Sequence, residues 1–252
     1  MAELTDLQLQ RYARQLVVPQ IDLEGQQRLR SARVLVVGAG GLGVPMAQYL
    51  AGAGVGFIRI ADDDWIALSN LPRQVAYTEA DVGRLKVDVL AERLKAGNRE
   101  VVVDVHPVRF DARSAVDLLD NVSLVLDATD SLQARRDIDR ATHRLELPWI
   151  MGSAVRMSGQ WAAFDPQRRL GCYHCLLTEP GDTPVASCAE LGIIGPVVAL
   201  VSLHQALWAL KYLVEQTLPW GELHVMDAWS GEHAQLTLST RPNCTLCQQR
   251  TN

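Results

Sequence analysis

Between residues 33 and 153 the chain alternates short, near-continuous apolar runs with longer stretches whose apolar residues recur every three or four positions. The runs 33–37, 57–61, 101–106, 123–127 and 149–153 have the length and β-branched content of strands buried on both faces. The stretches 42–53, 84–95, 111–119 and 132–145 read as helices, the last stopped before Pro148. Upstream, Leu7, Leu9, Tyr12, Ala13 and Leu16 fall at helical spacing and predict a helix over 5–16, with a second over 23–29. Strands that alternate with helices predict an α/β fold with a mainly parallel sheet covered on both faces.

After Gly152 the pattern changes. Residues 159–165 predict an added strand, and 177–190, rich in Pro, Gly, Thr and Ser, a mobile connection. A strong helix follows over 196–214, then strands near 223–226 and 234–238. There is no internal repeat. The organisation expected is one domain over 1–252: helices over 1–31, a first half over 32–155 and a distinct second half over 156–252.

Hydrophobic residues make up 48% and charged residues 21% of the 252, the mix of a globular chain with a substantial core. A formal net charge of -5 supplies no field to attract nucleic acid or an anionic membrane, so neither is expected as a partner. The amino terminus lacks the basic start and apolar core of a signal peptide. The longest apolar stretch, 193–209, is interrupted by Gly195, Pro196, Ser202, His204 and Gln205, and reads as too short and too polar to span a bilayer. A cytoplasmic location is the expectation.

Candidate chemistry begins at Gly38, Gly40, Gly41 and Gly43, which follow a strand and open a helix. Such a turn lets backbone approach a phosphate, and the helix start offers unpaired N–H groups. An acid at the end of the second strand, Asp62 or Asp64, can hold a ribose hydroxyl. To this point a nicotinamide-dependent oxidoreductase and a mononucleotide enzyme fit equally. Arg73 and Lys86 downstream, with Asp127 and Asp130 closing a later strand, suit a triphosphate and Mg2+ better than a nicotinamide. Each taken singly also reads as a solvated loop charge or a helix cap.

Four of five cysteines form two C-x-x-C pairs, Cys172 with Cys175 and Cys244 with Cys247. In a chain without a secretion signal such pairs point to metal before disulfides, and four thiolates close a tetrahedral site. His174, inside the first pair, is a bystander in this reading. Cys188 stands alone in the Pro- and Gly-rich connection.

Taken together, RYARQ (11–15), VVGAGGLG (36–43), LAGAGVG (50–56), SNLPRQ (69–74), VGRLK (82–86), DATDS (127–131), GQWAAF (159–164), CYHC (172–175), SCAELGIIGP (187–196) and CTLC (244–247) resemble the bacterial ThiF/MoeB adenylyltransferases of the ubiquitin-activating enzyme superfamily. The resemblance implies a Rossmann-like ATP-binding domain that continues into further strands and a carboxyl-terminal zinc-binding part. It implies adenylation of the terminal glycine carboxylate of a ubiquitin-like sulfur carrier ending in Gly-Gly. Gly41 would lie against the ATP phosphates, Asp62 would hold the ribose, and Asn70, Arg73 and Lys86 would contact the polyphosphate. Asp130 would hold magnesium. Arg14 would be donated across a homodimer interface into the partner's site. The four paired cysteines would hold a structural Zn2+, and Cys188 would either receive the activated carrier or serve as a small apolar residue.

Pro72 and the small Ala128 and Ser131 depart from the family's usual residues; Pro72 removes a backbone donor beside Arg73. VRMSGQ (155–160) is similar to the molybdenum cofactor branch of the family, ADDDW and IIGPVV to the thiamine branch. The expectation leans to the former. No sulfurtransferase extension follows Cys247, so sulfur is expected from a separate protein. A non-catalytic binder of a ubiquitin-like protein is the remaining alternative; it predicts binding without pyrophosphate release.

Overall fold

A computed structural model describes residues 3–177 and 191–248. Helix α1 (Asp6–Leu16) starts on a reciprocal cap: the Thr5 hydroxyl accepts the Gln8 N–H, and the Gln8 side chain accepts the Thr5 N–H. Helix α2 (Asp22–Ser31) leads into strand β1 (Arg33–Val37), and α3 (Gly43–Ala53) returns to β2 (Phe57–Ala61). The loop that follows is ordered by single 3-10 turns at Leu68–Asn70 and Glu79–Asp81. Then come α4 (Lys86–Gly97), β3 (Val102–His106), α5 (Ala115–Leu118), β4 (Leu124–Asp127), α6 (Leu132–Leu145) and β5 (Trp149–Val155).

Beyond β5 the chain forms β6 (Ser158–Phe164), the short α7 (Tyr173–Leu176), the long α8 (Gly195–Glu215), β7 (Glu222–Asp227), β8 (Glu232–Thr237) and α9 (Thr245–Gln248). One eight-stranded sheet in the order β3-β2-β1-β4-β5-β6-β7-β8 runs through both halves. The first five strands pair in parallel; β6, β7 and β8 add on antiparallel.

Alternate residues of each strand feed two cores. Val34, Val36, Ile58, Ile60, Leu124, Leu126 and Trp161 face α3, α4 and α8. Leu35, Val37, Val125, Trp149, Met151 and Phe164 lie in the core on the other face with residues of α5, α6 and α7. Burial on both faces is why the strands read as continuous apolar runs.

Two expectations need correction. The helix predicted over 111–119 is only Ala115–Leu118. The Asp111 carboxylate accepts the N–H groups of Arg113 and Ser114, and the Ser114 hydroxyl donates to the Arg109 carbonyl, so a side-chain-capped turn replaces the first helical turn. The apolar stretch 193–209 does not end where it was read to end. It continues as the 21 residues of α8, long and apolar enough by length and composition to cross a bilayer. Half of its most apolar window is buried, and it packs on α2, α3, β5 and β6 as a core helix does.

Helix α8 also reaches across the layers with polar groups. The Ser202 hydroxyl donates to the Leu42 carbonyl at 2.6 Å, and the Gln205 amide donates to the carbonyls of Asp127 at 2.7 Å and Ile150 at 3.3 Å.

Candidate active site

A cavity of about 900 Å3 opens where β1, β2 and β4 end, lined by Val37 and Ala61 at the ends of β1 and β2 and by Ala128, Thr129 and Asp130 just after β4. From β1 the connections run one way to β2 and β3 and the other way to β4 and β5, and this reversal is where open α/β sheets leave a crevice for ligands. Gly38, Gly40, Gly41, Asp62, Asp64, Asn70, Arg73, Lys86 and Asp130 all line it. Gly43 lies behind the turn rather than on the cavity wall. Arg14 is exposed on α1 and does not line the cavity. Cys188 lies outside the described residues.

The glycine turn is forced by geometry. Gly38 has φ +103°, the left-handed region that favours glycine, and a Cβ at Gly43 would overlap the Gly38 carbonyl oxygen. Ala128 packs behind the same turn, its Cβ 3.3 Å from where a Gly43 side chain would begin. The small residue at 128 therefore fits the site.

Asp62, rather than Asp64, is tied to the turn. Its carboxylate accepts the Ala39 N–H at 2.7 Å and the Asp64 N–H at 2.8 Å. Burial raises the Asp62 pKa above the ordinary aspartate value of 3.8, against the lowering effect of Lys86 and these two N–H donors. Asp64 instead pairs with Lys86 at 2.7 Å, leaving the Lys86 side chain 7% exposed and the Asp64 side chain 61% exposed.

Arg73 and Asn70 are held by their own loop. The Arg73 guanidinium donates to the Ser69 carbonyl at 3.0 Å, and Asn70 Oδ1 accepts the Ala67 N–H at 3.0 Å. Leu71, Arg73 and Gln74 supply the backbone donors of this turn, to Leu68 and Asn70, so Pro72 takes none of them away. Gln74, which the sequence motif contained but the reading passed over, lines the cavity beside Gly40 at 3% exposure. Its Oε1 is buried without a hydrogen-bond partner among the described residues, as a polar atom awaiting a ligand would be.

The loop after β4 is built around a buried ion pair. Asp127, fully buried, accepts Arg135 Nε at 2.7 Å and the Thr129 N–H and hydroxyl at 3.0 and 2.7 Å. Burial works against the charge of Arg135, but the Asp127 carboxylate outweighs it and holds the guanidinium pKa above its usual value. Ser131 caps α6 by accepting the Ala134 N–H. Between these anchors Asp130 is exposed to the cavity and makes no hydrogen bond or ion pair among the described residues.

The four paired cysteines converge although about seventy residues separate the pairs in sequence. Cys172 lies 3.7 Å from Cys175, 3.6 Å from Cys244 and 3.4 Å from Cys247, and Cys175 lies 3.7 Å from Cys247. Four sulfurs about 2.3 Å from a central zinc would stand ~3.8 Å apart, so the cluster fits that ion with little adjustment. The contact with Cys172 draws the Cys247 thiol down to about 6, while the Cys172 thiol is pushed up by that contact and by burial. His174 turns to Asp139, its Nδ1 2.6 Å from the carboxylate.

Comparison with known proteins matches this arrangement over nearly the whole chain. The chain is 38% identical over 244 residues to the sulfur carrier protein ThiS adenylyltransferase of Escherichia coli, covering 97% of each. It is 36% identical over 250 residues to the molybdopterin-synthase adenylyltransferase of Salmonella typhimurium, covering 99% of this chain and 100% of that one. A sulfur carrier protein adenylyltransferase of Thermus thermophilus is 41% identical over 249 residues, 96% of this chain and 92% of its own. Among solved structures, that of E. coli MccB with MccA-N7isoASN superposes with a TM-score of 0.83 at 21% identity, over 94% of this chain and 74% of that chain, a likeness of fold. The ThiF family model spans residues 12–246, which takes in the glycine turn, the cavity and three of the four clustered cysteines, Cys172, Cys175 and Cys244. The chain is a member of the ThiF family.

Proposed function

We propose that this chain uses ATP to adenylate the carboxyl-terminal carboxylate of a ubiquitin-like sulfur carrier protein ending in Gly-Gly, releasing pyrophosphate. The observation that carries the proposal is the end-to-end likeness to sulfur carrier adenylyltransferases, in a chain whose strand ends gather Asp62, Arg73, Lys86 and Asp130 around one cavity. A nicotinamide would leave Arg73, Lys86 and Asp130 without a task, and a purely scaffolding protein would not need them.

The chemistry follows from charge. A carrier carboxylate and the α-phosphate of ATP are both anionic, so cations must bring them together. The carboxylate is already ionised at neutral pH and needs no general base. Its oxygen bonds the α-phosphorus as the bond to the bridging oxygen of pyrophosphate breaks, giving an acyl-adenylate.

In this reading Asp62 accepts a ribose hydroxyl, and Gly38, Gly40 and Gly41 let the phosphates approach backbone. Arg73, Asn70 and Lys86 hold the polyphosphate, and the orphan Gln74 gains a partner. Arg73 and Lys86 stabilise charge as it gathers on the leaving pyrophosphate. Asp130 would hold a magnesium ion, which supplies further neutralisation of that charge when bound. Arg14 completes the site from a second copy of the chain. Cys172, Cys175, Cys244 and Cys247 would hold zinc in a closed four-sulfur site, which makes the ion structural. Sulfur would come to the acyl-adenylate from a separate protein, in the biosynthesis of the molybdenum cofactor or of thiamine.

The test offers the purified protein several Gly-Gly-ended carriers with ATP and follows carrier mass and pyrophosphate exchange. One carrier is expected to gain an adenylate, and Asp130→Ala to abolish the exchange with the fold intact. No carrier gaining mass, or near-normal exchange by the variant, would refute the activity or the magnesium role respectively.

A further inference from the structure

We propose that His224 and His233, with Glu222 behind them, form a second metal site that binds one exchangeable divalent transition-metal ion between β7 and β8. None of the three lines the cavity or belongs to the cysteine cluster, and the proposal does not rest on the adenylation reading.

The sheet register brings these residues together. Trp161 of β6 pairs with His224 of β7, and Met226 of β7 pairs with His233 of β8. Side chains two apart on a strand share a face. Glu222, His224 and His233 therefore stand with Trp161 and Met226 on the side of the sheet that packs against α8. There His224 Nδ1 lies 3.3 Å from His233 Nε2. Two nitrogens about 2.0–2.1 Å from a tetrahedral ion would stand ~3.3 Å apart, so the rings already have the separation of two ligands on one ion.

The other ring nitrogen of His224 is accounted for as well. Its Nε2 lies 3.2 Å from the Glu222 carboxylate. Donation to that carboxylate places the proton on Nε2 and leaves the Nδ1 lone pair facing His233. A carboxylate on the far nitrogen is the usual companion of a metal-bound imidazole, because it fixes the ring and raises its basicity.

The surroundings hold His224 in place. It is buried, with the Trp208 ring edge-on at 4.9 Å and the Trp161 ring stacked at 5.3 Å. His204 of α8 in turn stacks on Trp161 at 4.0 Å. His233, by contrast, is exposed, which gives an ion its way in and lets water complete the shell. Two protein ligands with open positions make an exchangeable site, unlike the closed four-sulfur one. Nitrogen donors select Zn2+, Ni2+ or Cu2+ over Mg2+ or Ca2+. A plain hydrogen bond between the two rings would also satisfy both nitrogens, but it predicts no affinity for metal.

The experiment titrates tag-free protein, loaded with zinc and then freed of excess, with Ni2+ in the presence of saturating Mg2+. Calorimetry counts the ions, zinc is measured before and after, and tryptophan fluorescence and thermal melting are followed. The wild type is expected to bind one Ni2+ per chain without losing zinc and to melt at a higher temperature with the ion than without it. Its emission should fall, since the Trp161 ring lies 5.3 Å from both histidine rings. His233→Ala, at an exposed position, should melt as the ion-free wild type does and lose the binding step and the quenching together. Glu222→Gln should keep the step with affinity lowered by about 10- to 100-fold, as other losses behind a metal ligand do. No saturable Ni2+ in the wild type, Ni2+ bound only in exchange for zinc, or equal affinity in wild type and His233→Ala would each overturn the proposal. Unchanged affinity in Glu222→Gln would overturn the part given to the carboxylate.

Discussion

Lys86 Nζ lies 2.7 Å from the Asp64 carboxylate, a buried ammonium facing a largely exposed partner at the cavity edge. A cation so placed is fixed in position before any phosphate arrives, and Asp64 is the group that holds it there. Lys86→Met is expected to lower kcat/KM for ATP by about 100- to 1000-fold, as does the loss of one preorganised charge donor elsewhere. Asp64→Asn keeps an amide oxygen that can accept from the ammonium, and should cost less than a tenth of that. Steady-state pyrophosphate exchange at varied ATP distinguishes the two, and equal losses would show that Asp64 itself meets the nucleotide.

Asp62 gives the site a pH signature. Burial raises its pKa above 3.8, so it takes up a proton at a higher pH than a free aspartate. Its ionised form accepts the ribose hydroxyl in the proposed complex, so ATP affinity should fall as pH drops through that raised value and level off above it. Asp62→Asn is expected to lose about 1.5–3 kcal/mol of affinity at neutral pH, with the gap to wild type closing in acid. Calorimetric titration of both proteins checks this; a pH-independent gap would remove Asp62 from the contact. For folding the sign is opposite: the contribution of Asp62 to stability is present below 3.8 and is lost as pH rises through the raised value.

Arg14 does not line the cavity of its own chain. If it completes a second copy's site, Arg14→Ala and Arg73→Ala are each inactive alone, while a mixture forms some dimers with one intact site. Partial recovery of exchange on mixing is the expected outcome. No recovery after verified subunit exchange would exclude a shared site.

The cysteine cluster predicts one zinc per chain by metal analysis. Cys244→Ser should lose the ion and melt at a lower temperature, since the binding energy of a closed site is also folding energy. Cys188→Ser should keep both. A wild type without zinc would exclude the structural site.

The strands were legible because each inward and outward position meets a core, which writes a continuous apolar run into residues such as Val34 to Val37. The glycine turn was legible because crowding admits no side chain at Gly43. Asp62 and Asp64 could not be separated by spacing alone; what separates them is that Ala39 donates to one and Lys86 to the other. Arg135 was missed entirely. On a polar-faced helix it reads as a solvated charge, and only folding reveals the buried carboxylate eight residues upstream. An arginine following a strand-terminal aspartate by two helical turns was the available signal.

Because Ser202 and Gln205 of α8 bond the carbonyls of Leu42 and Asp127, the two halves of this chain are not separable modules. A fragment ending before α8 would expose both carbonyls along with the apolar surface that the helix covers. Expressed alone, the first half should be a molten, ATP-blind species. Supplied in trans with a fragment beginning ahead of Gly195, it should reassemble into one nucleotide-binding particle.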